Sequence, residues 1–105
     1  CDRCFIESQS AGFLVMIRQV RPELRSFFYP GTFEEGFSVA REFGFHGISI
    51  DVDKVNPEQI ARAHAENLWI ALWDVKNNED NRRAIRLNPE MIQSDEIDGL
   101  VDLLQ

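Results

Sequence analysis

Polar and aromatic side chains stand at the points where two apolar runs of this sequence end. Trp73, Asp74 and Lys76 follow the run 68–72, and Asp95 follows a second, shorter run. Each run leads into a segment with helical periodicity, so each is typical of a β-strand/α-helix unit. In folds built from such units, ligands bind at the carboxyl ends of parallel strands. These four residues therefore fall where a ligand site would be.

Length and charge exclude several classes of protein. A chain of 105 residues, 44% of them hydrophobic, predicts a single domain over 1–105 with a modest core. A formal net charge of −7 argues against binding to nucleic acid or anionic membranes. No apolar run approaches the roughly 20 residues of a membrane span. The start at Cys1, without an initiator Met, is typical of a fragment or a processed chain, and nothing indicates a compartment.

The titratable clusters in the sequence do not match known metal motifs. Cys1 and Cys4 form a C-x-x-C pair without a second pair at zinc-binding spacing, so we expect Cys4 to begin a buried strand. A calcium loop starting at Asp51 would need Gly and Glu where Asn56 and Arg62 stand. The sequence therefore predicts no metal ligands in this chain.

Five strand-like runs alternate with five helix-like segments. The predicted strands cover 4–8, 26–29, 47–52, 69–73 and a short run ending at Ser94. Helix starts are indicated at Thr32, which is followed by Glu35 in a capping-box pattern, and at Asn56, which is followed by Pro57 and Gln59. The first helix is expected to bury Phe13, Leu14, Ile17 and Val20, and the last to bury Ile97, Leu100, Val101 and Leu104.

Strict alternation of strands and helices predicts an α/β fold with parallel strands and right-handed crossovers. Two architectures remain open on the residues alone. One is a small doubly wound open sheet, although 9–12 carries no glycine-rich phosphate turn. The other is a piece of a (β/α)₈ barrel, because five units are too few for the eight strands of a closed barrel.

Several segments resemble the C-terminal portion of the glycerophosphodiester phosphodiesterase family. The segments 73–76 (WDVK) and 92–95 (IQSD) are similar to the family's Trp-Thr-Val-Asn and Ile-Gln-Thr-Asp strand ends. Weaker similarity covers 6–9, 60–64 and 88–91. The resemblance implies a partial TIM barrel made of about the last five strands of eight, with the N-terminal strands absent from this chain.

The same resemblance implies a function for the whole enzyme. It would be a metal-dependent hydrolase that cleaves a glycerophosphodiester into glycerol phosphate and an alcohol, with Mg²⁺ or Ca²⁺ as the divalent cation. The family's catalytic His-Arg motif, second His and metal-binding acids match nothing here, since His46 and His64 are poorly placed. This chain is therefore expected to contain no catalytic residue, to bind no cation and to be inactive alone.

Four residues are candidates for substrate binding because of where they stand. Trp73 lies at a strand end and, by the resemblance, lines the glycerol side of the pocket. Ser8 and Phe28 end the first two predicted strands, and Asp51 ends the third. Asp95 is expected to act as the N-cap of the last helix instead.

A partial barrel would expose two strand edges, and this exposure predicts binding partners. We expect either the missing N-terminal half of the barrel or self-association through the open edges. The alternative to an enzyme portion is a non-enzymatic half-barrel that acts as an assembly or binding module. A phosphate-binding barrel isomerase has little support, since no glycine-rich loop precedes the last helix.

Overall fold

The computed structural model describes residues 4–105, so Cys1 lies outside the described part of the chain. The elements alternate without exception: β1 Phe5–Ser8, α1 Ala11–Val20, β2 Arg25–Phe28, α2 Phe33–Phe43, β3 Gly47–Asp51, α3 Pro57–Ala65, β4 Trp69–Val75, α4 Asn78–Arg86, β5 Met91–Ser94 and α5 Ile97–Leu104. A short 3₁₀ turn, Val52–Lys54, connects β3 to α3. Within residues 4–105 no helix has the length and apolar character to cross a membrane.

The order of the strands decides between the two architectures. All neighbouring strands pair in parallel, and the order across the sheet is β1-β2-β3-β4-β5, which is the order along the chain. A doubly wound sheet reverses its strand order, whereas a barrel adds each strand next to the preceding one. The predicted α/β partial barrel is therefore confirmed.

The two faces of the sheet carry different residues. Side chains that point toward the helices form the main core, among them Ile48, Ile50, Ile70 and Leu72. Alternate residues point to the opposite, concave face, where Phe27, Ser49 and Ala71 are also buried but lie outside that core. Gly47 belongs to this concave face, and a Cβ there would lie 2.4 Å from the Trp69 carbonyl oxygen and 2.7 Å from the Phe27 ring.

The predicted helix starts are largely confirmed. Asn56 accepts a hydrogen bond from the Gln59 amide, and the Gln59 side chain accepts one from the Asn56 amide, which completes a capping box. Thr32 caps α2 through the Glu35 amide, but the Glu35 carboxylate accepts from Gly31 instead of Thr32. The prediction for Asp95 is wrong: the cap position of α5 is Glu96, which makes no side-chain cap hydrogen bond.

The first and last units are more exposed than predicted. Strand β1 begins at Phe5, after Cys4, and alternates exposed with half-buried residues, so it is not a buried strand. In α1 only Leu14 is buried, and in α5 only Leu100. Apolar residues expected to pack are instead exposed, because each terminal helix has a neighbour on one side only. They are Phe13 and Val20 in α1 and Ile97, Val101 and Leu104 in α5.

Candidate functional site

A bulge at the end of β4 shapes the rim of the sheet. The pairing Leu72–Ile92 is followed by Val75–Ser94, so β4 contains one residue more than β5 over this stretch. Asp74 absorbs the extra residue by adopting φ of 63°, a left-handed conformation that side chains other than glycine rarely take. Bulges redirect side chains near functional sites. Here the bulge places both Trp73 and Asp74 at the carboxyl end of the strand.

Two aromatic rings meet at this rim. Tyr29, directly after β2, stacks on Trp73 with ring centroids 5.0 Å apart and planes inclined by 20°. Strand β3 lies between their strands, and Asp51 is the register partner of Trp73 on it. The indole Nε1 is buried, and it has no hydrogen-bond partner among the residues that the structure describes. The Ser49 hydroxyl, on β3, is likewise buried and has no hydrogen-bond partner among the described residues.

Three carboxylates gather beside the aromatic pair. Asp51, Asp53 and Asp74 each offer an oxygen, and these oxygens lie within 4.8 Å of one another. Oxygen donors of this kind suit Mg²⁺ or Ca²⁺. However, Asp74 is paired with Lys76 at 3.1 Å, and Asp53 forms an ion pair with Arg83. The three carboxylates could therefore hold a divalent cation, which would compete with Lys76 for Asp74 and with Arg83 for Asp53.

The pKa values of the rim differ in direction. Burial raises the pKa of Asp51, and a hydrogen bond with the Asp74 side chain raises it further. The Lys76 ammonium instead lowers the pKa of Asp74. Burial, followed by the negative charges of nearby carboxylates, raises the pKa of the Tyr29 hydroxyl. At the rim, the protonated form of Asp51 is therefore favoured, whereas the ionised form of Asp74 is favoured.

An open cleft of about 520 Å³ lies between the ends of β4 and β5. Trp73 and Asp74 form one wall, and the segment from Ile92 to Asp95 forms the other, together with Ile97. The predicted substrate residue Trp73 thus borders this cleft. We define this space as the Trp73 cleft.

The four predicted substrate residues do not come together. Trp73 and Asp51 share the rim, as register partners at the ends of β4 and β3. Phe28 faces the helices, where it belongs to the main core and stacks with Phe45 at 6.4 Å. Ser8 pairs with Phe28 and uses its hydroxyl to accept a hydrogen bond from the Ser10 amide at the turn into α1. Trp73 and Asp51 thus lie together at the rim, and the roles of all four residues in substrate binding stay predictions.

The two histidines lie away from the rim. His46, just before β3, accepts a hydrogen bond through Nδ1 from the Ser26 amide. Burial lowers the pKa of His46, which agrees with a neutral imidazole acting as an acceptor. His64, on α3, contacts the Glu90 carboxylate at 3.1 Å. Both are at the amino ends of the strands, where barrel residues contribute to stability and not to chemistry.

Sequence reasoning missed Tyr29 as a rim residue. The signal was present, because Tyr29 follows the second strand immediately and Pro30-Gly31 ends the run. Strand side chains alternate, so Phe27 and Tyr29 had to share one face and Phe28 the other. The sequence did not show which of the two faces was concave.

Comparison with solved structures finds close matches in fold. A protein from Silicibacter pomeroyi named as a glycerophosphoryl diester phosphodiesterase matches 96% of this chain, at 23% identity and a TM-score of 0.82. One from Galdieria sulphuraria, named as a glycerophosphodiester phosphodiesterase, matches 97% at 20% identity and a TM-score of 0.79. An Oleispira antarctica phosphodiesterase in complex with sn-glycerol-3-phosphate matches 95% at 11% identity and a TM-score of 0.83.

Each match covers nearly all of this chain but less than half of the matched protein. This chain covers only 38%, 44% and 41% of those three proteins, respectively. No family model and no curated protein matches the sequence. The predicted resemblance to glycerophosphodiester phosphodiesterases is thus confirmed for the architecture: this chain has the fold of a five-strand part of such a barrel.

Proposed function

We propose that this chain is the C-terminal portion of a glycerophosphodiester phosphodiesterase. The whole enzyme would hydrolyse a glycerophosphodiester to glycerol phosphate and an alcohol. The observation that carries this proposal is the match over nearly all of this chain but less than half of each named phosphodiesterase. That pattern is expected if the five units contribute one side of a larger substrate site.

The rim of β3 and β4 would supply a wall of the pocket. Trp73 offers an apolar ring at the carboxyl end of its strand, where barrel enzymes bind substrates. Asp51 and Asp74, whose carboxylate oxygens lie within 4.8 Å of each other, would face the same space and accept hydrogen bonds from substrate hydroxyls. The buried Nε1 of Trp73 supports this role, because a buried indole donor is usually paired and an oxygen brought by a substrate or by further strands would pair it.

The chemical step would depend on groups outside this chain. Neither histidine reaches the rim, and two of the three carboxylates there are paired, Asp74 with Lys76 and Asp53 with Arg83. A proton donor for the leaving alcohol and the ligands of a divalent cation would both come from the remaining strands. The cation, Mg²⁺ or Ca²⁺ in the whole enzyme, would neutralise the phosphate there. The residues of this chain would bind and orient the substrate.

The exposed apolar side chains support closure by further units. Eight of the ten large apolar residues that are exposed lie in β1, α1 or α5. These elements are the two ends of the sheet, where a closed barrel would add its next strand and helix. Strands β1 and β5 also keep one unpaired edge each in the described structure. The partner would be the N-terminal part of the barrel, or a second copy of this chain in its absence.

A chimeric enzyme tests the proposal. Residues 5–105 would be fused to the part of the Silicibacter pomeroyi protein that lies outside the matched region. With Mg²⁺ or Ca²⁺ present, we expect the chimera to release alcohol from a glycerophosphodiester and this chain alone to release none. Alcohol release by the isolated chain would contradict the division of roles. A folded, monomeric chimera without activity would favour a non-enzymatic binding module.

A further inference from the structure

We propose that Asn81 of α4 is a positioning residue for the substrate site, because it holds the turn between β5 and α5 that forms one wall of the Trp73 cleft. This inference deepens the proposed function and rests on it, since the wall matters to catalysis only if the cleft belongs to the substrate site. Three observations carry the argument: the burial of the Asn81 side chain, the convergence of its hydrogen bonds on one turn, and the location of that turn.

The Asn81 side chain is fully buried, with 0% of its surface exposed. An apolar side chain at this position of α4 would be buried without the free-energy cost of removing an amide from water. A buried polar group is tolerated when its hydrogen-bonding atoms are paired, and a fully paired network favours one arrangement of the elements that it joins. The burial of Asn81 therefore points to a role in fixing geometry.

The polar atoms of the Asn81 side chain are all paired. Nδ2 donates one hydrogen bond to the Glu96 carbonyl at 3.0 Å and another to Asn78 Oδ1 at 3.2 Å. Oδ1 accepts a hydrogen bond from the Ser94 hydroxyl at 2.7 Å. Because a backbone carbonyl can only accept, the Glu96 contact fixes the orientation of the Asn81 amide. Two of its three partners, Ser94 and Glu96, belong to the turn between β5 and α5.

The turn is held on both sides of Asp95. The Ser94 hydroxyl, which donates to Asn81, also accepts a hydrogen bond from the Glu96 amide at 3.0 Å. The Asp95 amide donates to the Val75 carbonyl in β4 at 2.8 Å. Within residues 4–105 the Asp95 side chain forms no hydrogen bond or ion pair, so its position depends on these contacts of the turn.

The start of α5 is anchored by α4 and not by a cap of its own. Glu96 occupies the cap position of α5 and makes no side-chain cap hydrogen bond. The Asn81 amide instead binds the Glu96 carbonyl from the neighbouring helix. The two helices approach closely at Gly99, where a Cβ would overlap the Asn78 side chain. The orientation of the turn is therefore set by α4, through Asn81.

The anchored turn is the wall of the Trp73 cleft that lies opposite Trp73 and Asp74. Ser94 and Asp95 line the cleft on this side, whereas Asn81 lies behind the wall and does not line it. Asn81 would therefore act on a bound substrate through the turn and not by contact. A displaced wall would weaken the binding of substrate and transition state to the same extent, which raises KM and leaves kcat unchanged.

Amide hydrogen exchange of this chain tests whether Asn81 holds the turn. Asn81→Leu keeps the size of the side chain and removes its three hydrogen bonds. We expect the Asp95 amide to exchange roughly tenfold faster, although its own acceptor on Val75 is retained, while the amides of β3 keep their rates. Ser94→Ala disturbs the fold less and should give the same local acceleration, and Ser94→Thr, which keeps the hydroxyl, should not. Unchanged exchange at Asp95 in Ser94→Ala, or equal acceleration throughout the sheet, would overturn the inference.

Kinetics of the chimera separate positioning from stability. We expect Asn81→Leu to raise KM about fivefold and to change kcat by less than about twofold. Ala84→Gly is the matched control, because it weakens the same helix at a buried position and leaves the Asn81 hydrogen bonds in place, so KM should stay unchanged. An unchanged KM in Asn81→Leu, or a fall in kcat alone, would overturn this inference. A chimera that is inactive without any substitution would overturn the proposed function, and the exchange of Asp95 would then decide whether Asn81 positions the turn.

Discussion

Tyr29 and Trp73 stack face to face across a strand that belongs to neither of them. Their centroids are 5.0 Å apart, although β2 and β4 are separated by β3. Rings on alternate strands can meet in this way only on a concave face with small side chains between them. Ser49 and Ala71, register partners on β3 and β4, are both small and buried on that face. The position of Trp73 therefore depends on the curvature of the sheet, which brings its ring onto that of Tyr29.

Removal of the Tyr29 ring should free Trp73. We expect Tyr29→Ala to lower the free energy of unfolding by about 1–2 kcal/mol and to shift Trp73 emission to longer wavelength, because stacked rings contribute beyond their buried area. Urea titration and emission spectra in the Trp69→Phe background measure both effects. Tyr29→Phe keeps the ring, so it should leave the emission unchanged. A spectrum altered equally by Phe and Ala would show that the hydroxyl, and not the stack, positions the indole.

Asp51 should contribute more to stability at low pH than at neutral pH, which is the opposite of the usual behaviour of a carboxylate. Its folded pKa is raised by burial and by the hydrogen bond with Asp74, so the folded state binds the proton more tightly than the unfolded state. The stability from this group is therefore present below the unfolded pKa, near 3.9, and is lost as pH rises through the folded pKa. Asp51→Asn should stabilise the protein at pH 7 by about 0.5 kcal/mol, since it removes this penalty and keeps the oxygen that accepts from Asp53.

Asp74→Asn is the matched comparison for that measurement. Lys76 lowers the folded pKa of Asp74, so its stabilisation is present above the unfolded pKa and is lost as pH falls through the folded pKa. The two variants should therefore shift stability in opposite directions at pH 7, and the benefit of Asp51→Asn should disappear near pH 3. Thermal melts between pH 3 and pH 8 record the profiles. Parallel profiles for the two variants would contradict the assignment.

Gly47 should be intolerant of any side chain. A Cβ there would lie 2.4 Å from the Trp69 carbonyl oxygen in the adjacent strand and 2.7 Å from the Phe27 ring. We expect Gly47→Ala to cost about 3 kcal/mol, because the backbone of β4 cannot move away without loss of its pairing. At Gly12, in α1, a Cβ would lie 3.9 Å from the Ser10 hydroxyl, an ordinary contact, so Gly12→Ala should be neutral or slightly stabilising. Equal unfolding midpoints for the two alanine variants would show that the sheet adapts.

The helices, the strands and the position of the rim were predicted from local signals. Such signals involve neighbouring residues and do not depend on the rest of the fold. Asn56-Pro57 with Gln59 was enough to predict the start of α3, since a capping box involves only neighbouring residues. Trp73 was found because it follows an apolar run, and the structure places it at the strand end. Tyr29 was not predicted as a rim residue, because the concave face of a sheet depends on its curvature, which no single strand encodes.

Non-local effects explain the other differences between the sequence predictions and the structure. The left-handed conformation of Asp74 follows from the bulge between β4 and β5, so it depends on how two distant segments pair. Val20 and Leu104 have the apolar periodicity of buried positions but are 69% and 63% exposed. Helical periodicity predicts that a face will be covered, but it does not show whether the covering element belongs to the same 105 residues.

The exposed faces of α1 and α5 should cause this chain to associate with itself. Their apolar side chains and the open edges of β1 and β5 expose surface that water disfavours. We expect sedimentation velocity to show concentration-dependent dimers or larger species, and Val20→Lys combined with Leu104→Lys to weaken the association by roughly tenfold. Two Glu→Gln substitutions at Glu42 and Glu58, exposed positions of α2 and α3, change the net charge equally and should have little effect. A monomer at every concentration would show that these exposed surfaces are stable in water. The exposed surfaces would then no longer support the proposal that further strands close the barrel.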